Sequence, residues 1–171
     1  MTVTAPAAGL APQALRDAFS HFPQGVVLIS AEVDGAPRGL VASTFTVGVS
    51  LDPPLVSVAV QHSSETWPQL RAAPVLGVSL LGSHQADVVR QLSSKDRDRR
   101  FEGIATEVRP DLSLTVGSSP VTMRTRVHDE VRAGDHDIVL LEILDIGTAP
   151  EAAPLVFHRS SFKEVTVPAG G

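Results

Sequence analysis

The spacing of apolar positions changes several times along the chain, and each change marks an element. Leu15, Ala18, Phe19 and Phe22 recur at helical intervals, giving one apolar face, and Pro12 suits the first turn of such a helix. Pro23-Gln24-Gly25 ends it. Val26-Val27-Leu28-Ile29 is then continuously apolar and β-branched, and Asp34-Gly35 beyond it is a strong hairpin signal. The hairpin returns through Gly39-Leu40-Val41-Ala42 into Ser43-Thr44-Phe45. Residues 55–60 read as a third strand, opened by Asp52-Pro53-Pro54. Thr66-Trp67-Pro68-Gln69 fits a capping box and predicts a short helix to Ala73. Residues 75–81 return as a strand, and Val88, Val89 and Leu92 form a narrow helical stripe. Val121, Met123, Thr125 and Val127 alternate with Thr122, Arg124 and Arg126, the pattern of a half-buried strand. Ala133-Gly134-Asp135 turns the chain into residues 138–146, apolar on both faces, and Leu155-Val156-Phe157 closes the series.

Six or more strands joined by hairpins, with only short helices between them, predict an antiparallel barrel or sandwich, not a doubly wound sheet. No glycine-rich phosphate loop follows a strand. The 171 residues suit one domain, and neither a repeat nor a linker divides them. The expected bounds are a flexible arm over 1–12, a domain over 13–166 and a flexible tail over 167–171. With no cysteine, thiolate metal sites, disulfides and a cysteine nucleophile are excluded, so redox work needs a bound cofactor. A net charge of −5 without a dense basic run argues against nucleic acid as the main partner. No apolar run reaches membrane-helix length, and the N-terminus lacks the basic region of a signal peptide, so a cytoplasmic protein off the membrane is expected.

Three constellations could carry chemistry. Ser63-Ser64-Glu65-Thr66 opens a predicted helix, where hydroxyls and free N–H groups either hold a phosphate or simply cap the helix. Ala42-Ser43-Thr44-Phe45 puts small and hydroxyl residues at a strand end, open to close approach by a ligand or merely polar. In Gly134-Asp135-His136 the histidine could be a ligand contact, a general acid, a metal ligand or a solvated turn neighbour. The six histidines form no His-x-x-x-His or Glu-x-x-His pair, which argues against a metal site. A serine-hydrolase elbow is missing too.

Taken in order, the motifs do more than any one of them alone. Pro23-Gln24-Gly25-Val26-Val27, Gly39-Leu40-Val41-Ala42-Ser43-Thr44-Phe45 and Val49-Ser50-Leu51-Asp52-Pro53-Pro54-Leu55-Val56 come first. Ser63-Ser64-Glu65-Thr66-Trp67-Pro68, Asp98-Arg99-Arg100-Phe101-Glu102-Gly103, Gly134-Asp135-His136 and Pro154-Leu155-Val156-Phe157 follow. In this order and spacing they resemble the flavin reductase family, whose fold is the FMN-binding split barrel, over roughly residues 13–165. The resemblance implies an NAD(P)H:flavin oxidoreductase that passes hydride to FMN, or alternatively FAD, and supplies a partner monooxygenase. It also implies a homodimer with flavin near the subunit interface.

Carried over residue by residue, Ala42, Ser43 and Thr44 would meet the isoalloxazine edge or the ribityl chain, and Ser50, Leu51 and Asp52 would do similar work. Ser63, Ser64 and Thr66 would hold the phosphate, with His62 and Trp67 beside them. Arg100 and Phe101 match a basic-aromatic pair near the flavin, and Gln24 and Val26 complete the implied cofactor contacts. His136 would face the nicotinamide as the catalytic-side histidine, with Phe157 and Phe162 nearby. Two departures stand out: His62 occupies a place where the family often has Asn, and a common C-terminal Tyr has no counterpart in a chain without tyrosine. A flavin carrier without efficient NAD(P)H oxidation is the alternative function. An oxidase of the pyridoxamine-phosphate type on a related barrel is a third reading, disfavoured by the Ser-Leu-Asp-Pro-Pro block.

Overall fold

Strand β2 explains why residues 26–29 show no alternation. A computed structural model describes residues 9–166, and in it both faces of this segment are buried. Val27, Ile29 and Ala31 point into one apolar cluster, while Val26 and Leu28 belong to a second. The strands in chain order are β1 (Gln24–Gly25), β2 (Val27–Val33), β3 (Ala36–Ala42), β4 (Thr46–Leu51), β5 (Pro54–Gln61) and β6 (Leu76–Leu80). They continue as β7 (Thr106–Val108), β8 (Leu114–Val116), β9 (Val121–Ala133), β10 (His136–Thr148), β11 (Leu155–His158) and β12 (Ser161–Glu164). Seven of them form one antiparallel sheet in the order β3-β2-β6-β9-β10-β5-β4. The chain runs directly from the end of β3 to β4 at the opposite edge, across residues 43–45, and β3 and β4 share no ladder. The sheet thus wraps around the first cluster as an antiparallel split barrel.

The long β9–β10 hairpin makes this curl possible. Its lower half, Val121 to Thr125, pairs with β6, whereas the upper half of β10, His136 to Glu142, pairs with β5. Register shifts at Leu140/Leu141 and Ile143/Asp145 bend the ribbon between those two partners. The two turns named from sequence are in place. Asp34 and Gly35 both have positive φ, at 52° and 72°, and Gly134 supplies φ 66° at the first loop position between β9 and β10.

The second cluster lies outside the barrel, where β8 crosses β2 and β6. Ser30 Oγ donates to the Leu114 carbonyl at 2.8 Å, and Ser79 Oγ accepts from the Val116 N–H at 2.9 Å. Both hydroxyls are buried, so they satisfy strand groups that a purely apolar face would leave unpaired. Gly77 allows the crossing: a Cβ there would sit 1.8 Å from the Leu114 carbonyl oxygen. β1, β11 and β12 make a small sheet beside this cluster, and β7 pairs with β8.

Several expectations are corrected. Helix α1 (Pro12–Phe19) forms but buries none of its residues, and Phe19 and Phe22 remain 61% and 67% exposed. The apolar face is real, yet its own chain does not cover it. Helix α2 (Trp67–Arg71) is only five residues long, and Thr66 makes no side-chain cap. Ser64 Oγ accepts the Trp67 N–H instead, at 3.2 Å. Strands β4, β7, β8 and β12 do not follow from the sequence pattern, and Gln24-Gly25, expected only to end the first helix, forms strand β1. Helix α3 (Ala86–Leu92) buries Val89 and Leu92 as its stripe suggests. The expected arm and tail fall largely on residues 1–8 and 167–171, outside the described residues.

Candidate functional site

A cavity of about 640 Å³ opens where the ends of β3 and β5 approach the loops after β5 and α3. Leu40, Val41 and Ala42 bring the end of β3 to it, and Ser43 and Thr44 carry the chain across toward β4. Thr44 Oγ1 donates to the Ala59 carbonyl at 2.8 Å, fastening this crossover to β5. Ser63, Ser64, Glu65 and Thr66 form a second wall and Ser93, Ser94, Lys95 and Arg97 a third, with Arg100 and His136 completing the lining.

Arg100 ties three of these segments together. Its Nε donates to the Ser94 carbonyl at 2.8 Å, and one terminal nitrogen donates to the Gly39 carbonyl at 3.0 Å and to Thr66 Oγ1 at 3.3 Å. Because Thr66 Oγ1 accepts here, its own proton stays free to be donated. Partial burial, and then repulsion from Arg97, lower the Arg100 pKa from its ordinary value. Such a group gains from an anion beside it. Glu65 pairs with Arg97 in a close ion pair. The lining therefore presents three cations, Lys95, Arg97 and Arg100, against one carboxylate, beside several hydroxyls. This donor set suits a phosphate, and the volume falls in the range of small-molecule pockets.

His136 joins the lining from the first residue of β10, where it pairs with Gln61 of β5. Its Nδ1 lies 2.7 Å from Asp135 Oδ1. A carboxylate only accepts, so Nδ1 carries the proton and Nε2 is left as the second ring nitrogen. The hydrogen bond from His136, and then its charge, hold Asp135 below the usual carboxylate range.

Of the residues singled out from sequence, Ala42, Ser43, Thr44, Ser63, Ser64, Thr66, Arg100 and His136 converge on this cavity. The others lie elsewhere in the single chain. Trp67 is buried in the first cluster, and its Nε1 has no hydrogen-bond partner among the described residues. His62 turns to Asp137, with Nε2 and Oδ1 2.9 Å apart. Ser50, Leu51 and Asp52 are at the β4–β5 hairpin, with Leu51 91% exposed. Phe101 packs over Gly39 in the second cluster, whose members also include Val26. Phe157 and Phe162 meet at a tilt of 56°, ring centroids 5.6 Å apart, against that cluster, and Gln24 pairs with Phe157 across β1 and β11. Sequence reasoning missed Gln61, Ser93, Ser94, Lys95 and Arg97 as lining residues. Ser93-Ser94-Lys95 repeats the hydroxyl-pair signal of Ser63-Ser64, and that repetition was available to find the third wall.

Comparison with known proteins agrees with this architecture. The family model of the flavin reductase like domain matches residues 19–166. An NADH:riboflavin 5'-phosphate oxidoreductase of Streptomyces pristinaespiralis is 34% identical, the match covering 94% of this chain and 91% of that protein. The reductase component of 4-hydroxyphenylacetate 3-monooxygenase from Thermus thermophilus is 30% identical, with 91% and 98% covered. Among solved structures, an NADH:FAD oxidoreductase of Streptomyces globisporus in complex with NAD and FAD fragments superposes with a TM-score of 0.85 at 26% identity, covering 96% of this chain and 100% of that one. The chain belongs to the flavin reductase like family.

Proposed function

We propose that the cavity is the flavin site of this NAD(P)H-dependent flavin reductase, with FMN as its preferred flavin and FAD as the alternative. The carrying observation is that four separated segments, 42–44, 63–66, 93–100 and the His136 turn, enclose one cavity with hydroxyls and cations along its walls. The enzyme passes hydride from a reduced nicotinamide to flavin and supplies a partner monooxygenase, as relatives named NADH:FMN oxidoreductase and monooxygenase reductase component support. The carrier reading gives way on the same ground.

A bound flavin supplies the hydride acceptor, and the chain supplies binding and orientation. Ser63 and Thr66 would donate hydrogen bonds to the phosphate, and Arg100, held in place by Gly39 and Ser94, would add charge. Ser43, Thr44 and the Ala42 backbone would orient the rest of the flavin. His136 meets the nicotinamide side, its ring fixed by Asp135. The decisive test is stopped-flow loss of NADH absorbance with FMN or FAD. Flavin-dependent oxidation supports the reading, and flavin binding without oxidation overturns it.

A homodimer is part of the proposal. β4 is an edge strand with Val47, Val49 and Leu51 exposed, and α1 leaves Phe19 and Phe22 uncovered. A second copy would cover these surfaces. Leu51→Asp is expected to shift a dimer toward monomer in analytical ultracentrifugation. Among the described residues, no helix is long and apolar enough to cross a membrane. The cytoplasm, where NADH is supplied, is the proposed location.

A further inference from the structure

We infer that His62, which does not line the cavity, is a positioning residue for the nicotinamide step, acting by clamping the β9–β10 turn to the loop after β5. The inference rests on the reading of His136 given above. Two hydrogen bonds carry it. The His62 backbone N–H donates to the Asp135 carbonyl at 3.0 Å, and its side-chain Nε2 bonds Asp137 Oδ1 at 2.9 Å. Asp137 can only accept, so Nε2–H is the donor.

The two acceptors flank His136 on either side in sequence. Asp135 in turn holds the His136 ring at Nδ1. One residue of the loop that carries Ser63 and Ser64 thereby fixes both neighbours of the histidine. Without the side-chain bond, the turn keeps its β5 ladder up to the His136–Gln61 pair but loses its only side-chain tie to that loop among the described residues. The His62 and Asp137 side chains are each about one-third exposed, at 34% and 32%, so the bond is a modest one whose value lies in geometry.

The experiment measures NADH KM, the hydride-transfer rate, flavin Kd and melting temperature for His62→Ala, His62→Gln, Asp137→Ala, the double variant His62→Ala/Asp137→Ala, and His136→Ala. Glutamine can place an amide N–H near the Nε2 position. For His62→Ala a rise in NADH KM, or fall in hydride rate, of about two- to fivefold is expected, the size of a partly exposed pair. Flavin Kd and melting temperature should stay near wild type, His62→Gln should recover most of the loss, and the double variant should be no worse than either single one. Unchanged NADH kinetics in His62→Ala, additive losses in the double variant, or equal loss of flavin affinity would each overturn the inference. His136→Ala separates the two layers. If it leaves NADH kinetics untouched, the nicotinamide reading of the turn fails. If it acts while His62→Ala does not, only the clamp fails.

Discussion

Ser63→Ala isolates the phosphate contact from the fold. Ser63 is exposed, and among the described residues its hydroxyl reaches only Gln61 Oε1, at a long 3.4 Å. Removing it should change stability by no more than about 0.5 kcal/mol, as at other surface positions. A hydrogen bond to a charged phosphate is worth about 1.5–3 kcal/mol, which converts to a roughly 10- to 150-fold loss of FMN affinity. Riboflavin has no phosphate and should bind Ser63→Ala and the parent alike. Fluorescence quenching titrations with both flavins give the two dissociation constants directly. Ser64→Ala is the informative contrast. Ser64 Oγ accepts the Trp67 N–H, so that variant also strips the cap of α2, at about 0.5–2 kcal/mol, and lowers the melting temperature. If Ser63→Ala weakens FMN and riboflavin by the same factor, the phosphate is not at this wall and the assignment of the hydroxyl loop is wrong.

Three further outcomes follow from other parts of the molecule. Arg100→Ala should weaken FMN more than riboflavin and also lower the melting temperature, because the Ser94 and Gly39 carbonyls lose their donor, whereas Arg100→Lys should keep much of the charge but not both bonds; equal FMN affinity in all three proteins would remove Arg100 from the site. Gly77→Ala should cost about 3 kcal/mol or more in urea unfolding, since its Cβ would strike the Leu114 carbonyl oxygen at 1.8 Å, and an unchanged midpoint would mean β8 does not cross there. Burial works to raise the Asp111 carboxyl, but hydrogen bonds from Ser113 and Arg124 outweigh it and hold the group below its ordinary value of 3.8. Its contribution to stability is then present above that value and is lost as pH falls through the lower folded one, so Asp111→Asn should flatten the acid limb of a stability-against-pH curve below about 4 and leave its shape at neutral pH unchanged.

How far the fold could be read depends on what each strand faces. β2 was legible because both faces are buried and its apolar run is unbroken, and the hairpin after it because Asp34-Gly35 meets the positive-φ demand of a two-residue turn. β4 escaped notice although Val47, Val49 and Leu51 alternate. Its alternate positions are exposed in the single chain, and Gly48, at φ 72°, interrupts the run. β8 escaped for the opposite reason. Leu114, Thr115 and Val116 are all buried, but three residues carry too short a pattern, and the hydroxyls that secure the strand, Ser30 and Ser79, lie far away in sequence.

The site divides along the same line between local and assembled signals. Ser63, Ser64 and Thr66 could be singled out because a hydroxyl cluster before an apolar segment is a local pattern, but a helix N-terminus is not what suits them to an anion. Helix α2 is too short to offer a useful N-terminus, and Thr66 turns its oxygen to Arg100 instead of capping. What makes the cluster suited to an anion is a charge from 34 residues away, brought in by the loop after α3. Lys95 and Arg97 show the converse: in sequence they belong to a mixed run with Asp96 and Asp98, the usual mark of a solvated loop. Only the fold decides which members of such a run turn inward, and here Lys95, Arg97 and Arg100 line the cavity while Asp96 and Asp98 do not. The proposed selectivity for a phosphorylated flavin would therefore be a property of how one loop is pinned, and Arg100, bonded to Ser94 on that loop and to Gly39 on β3, is the pin.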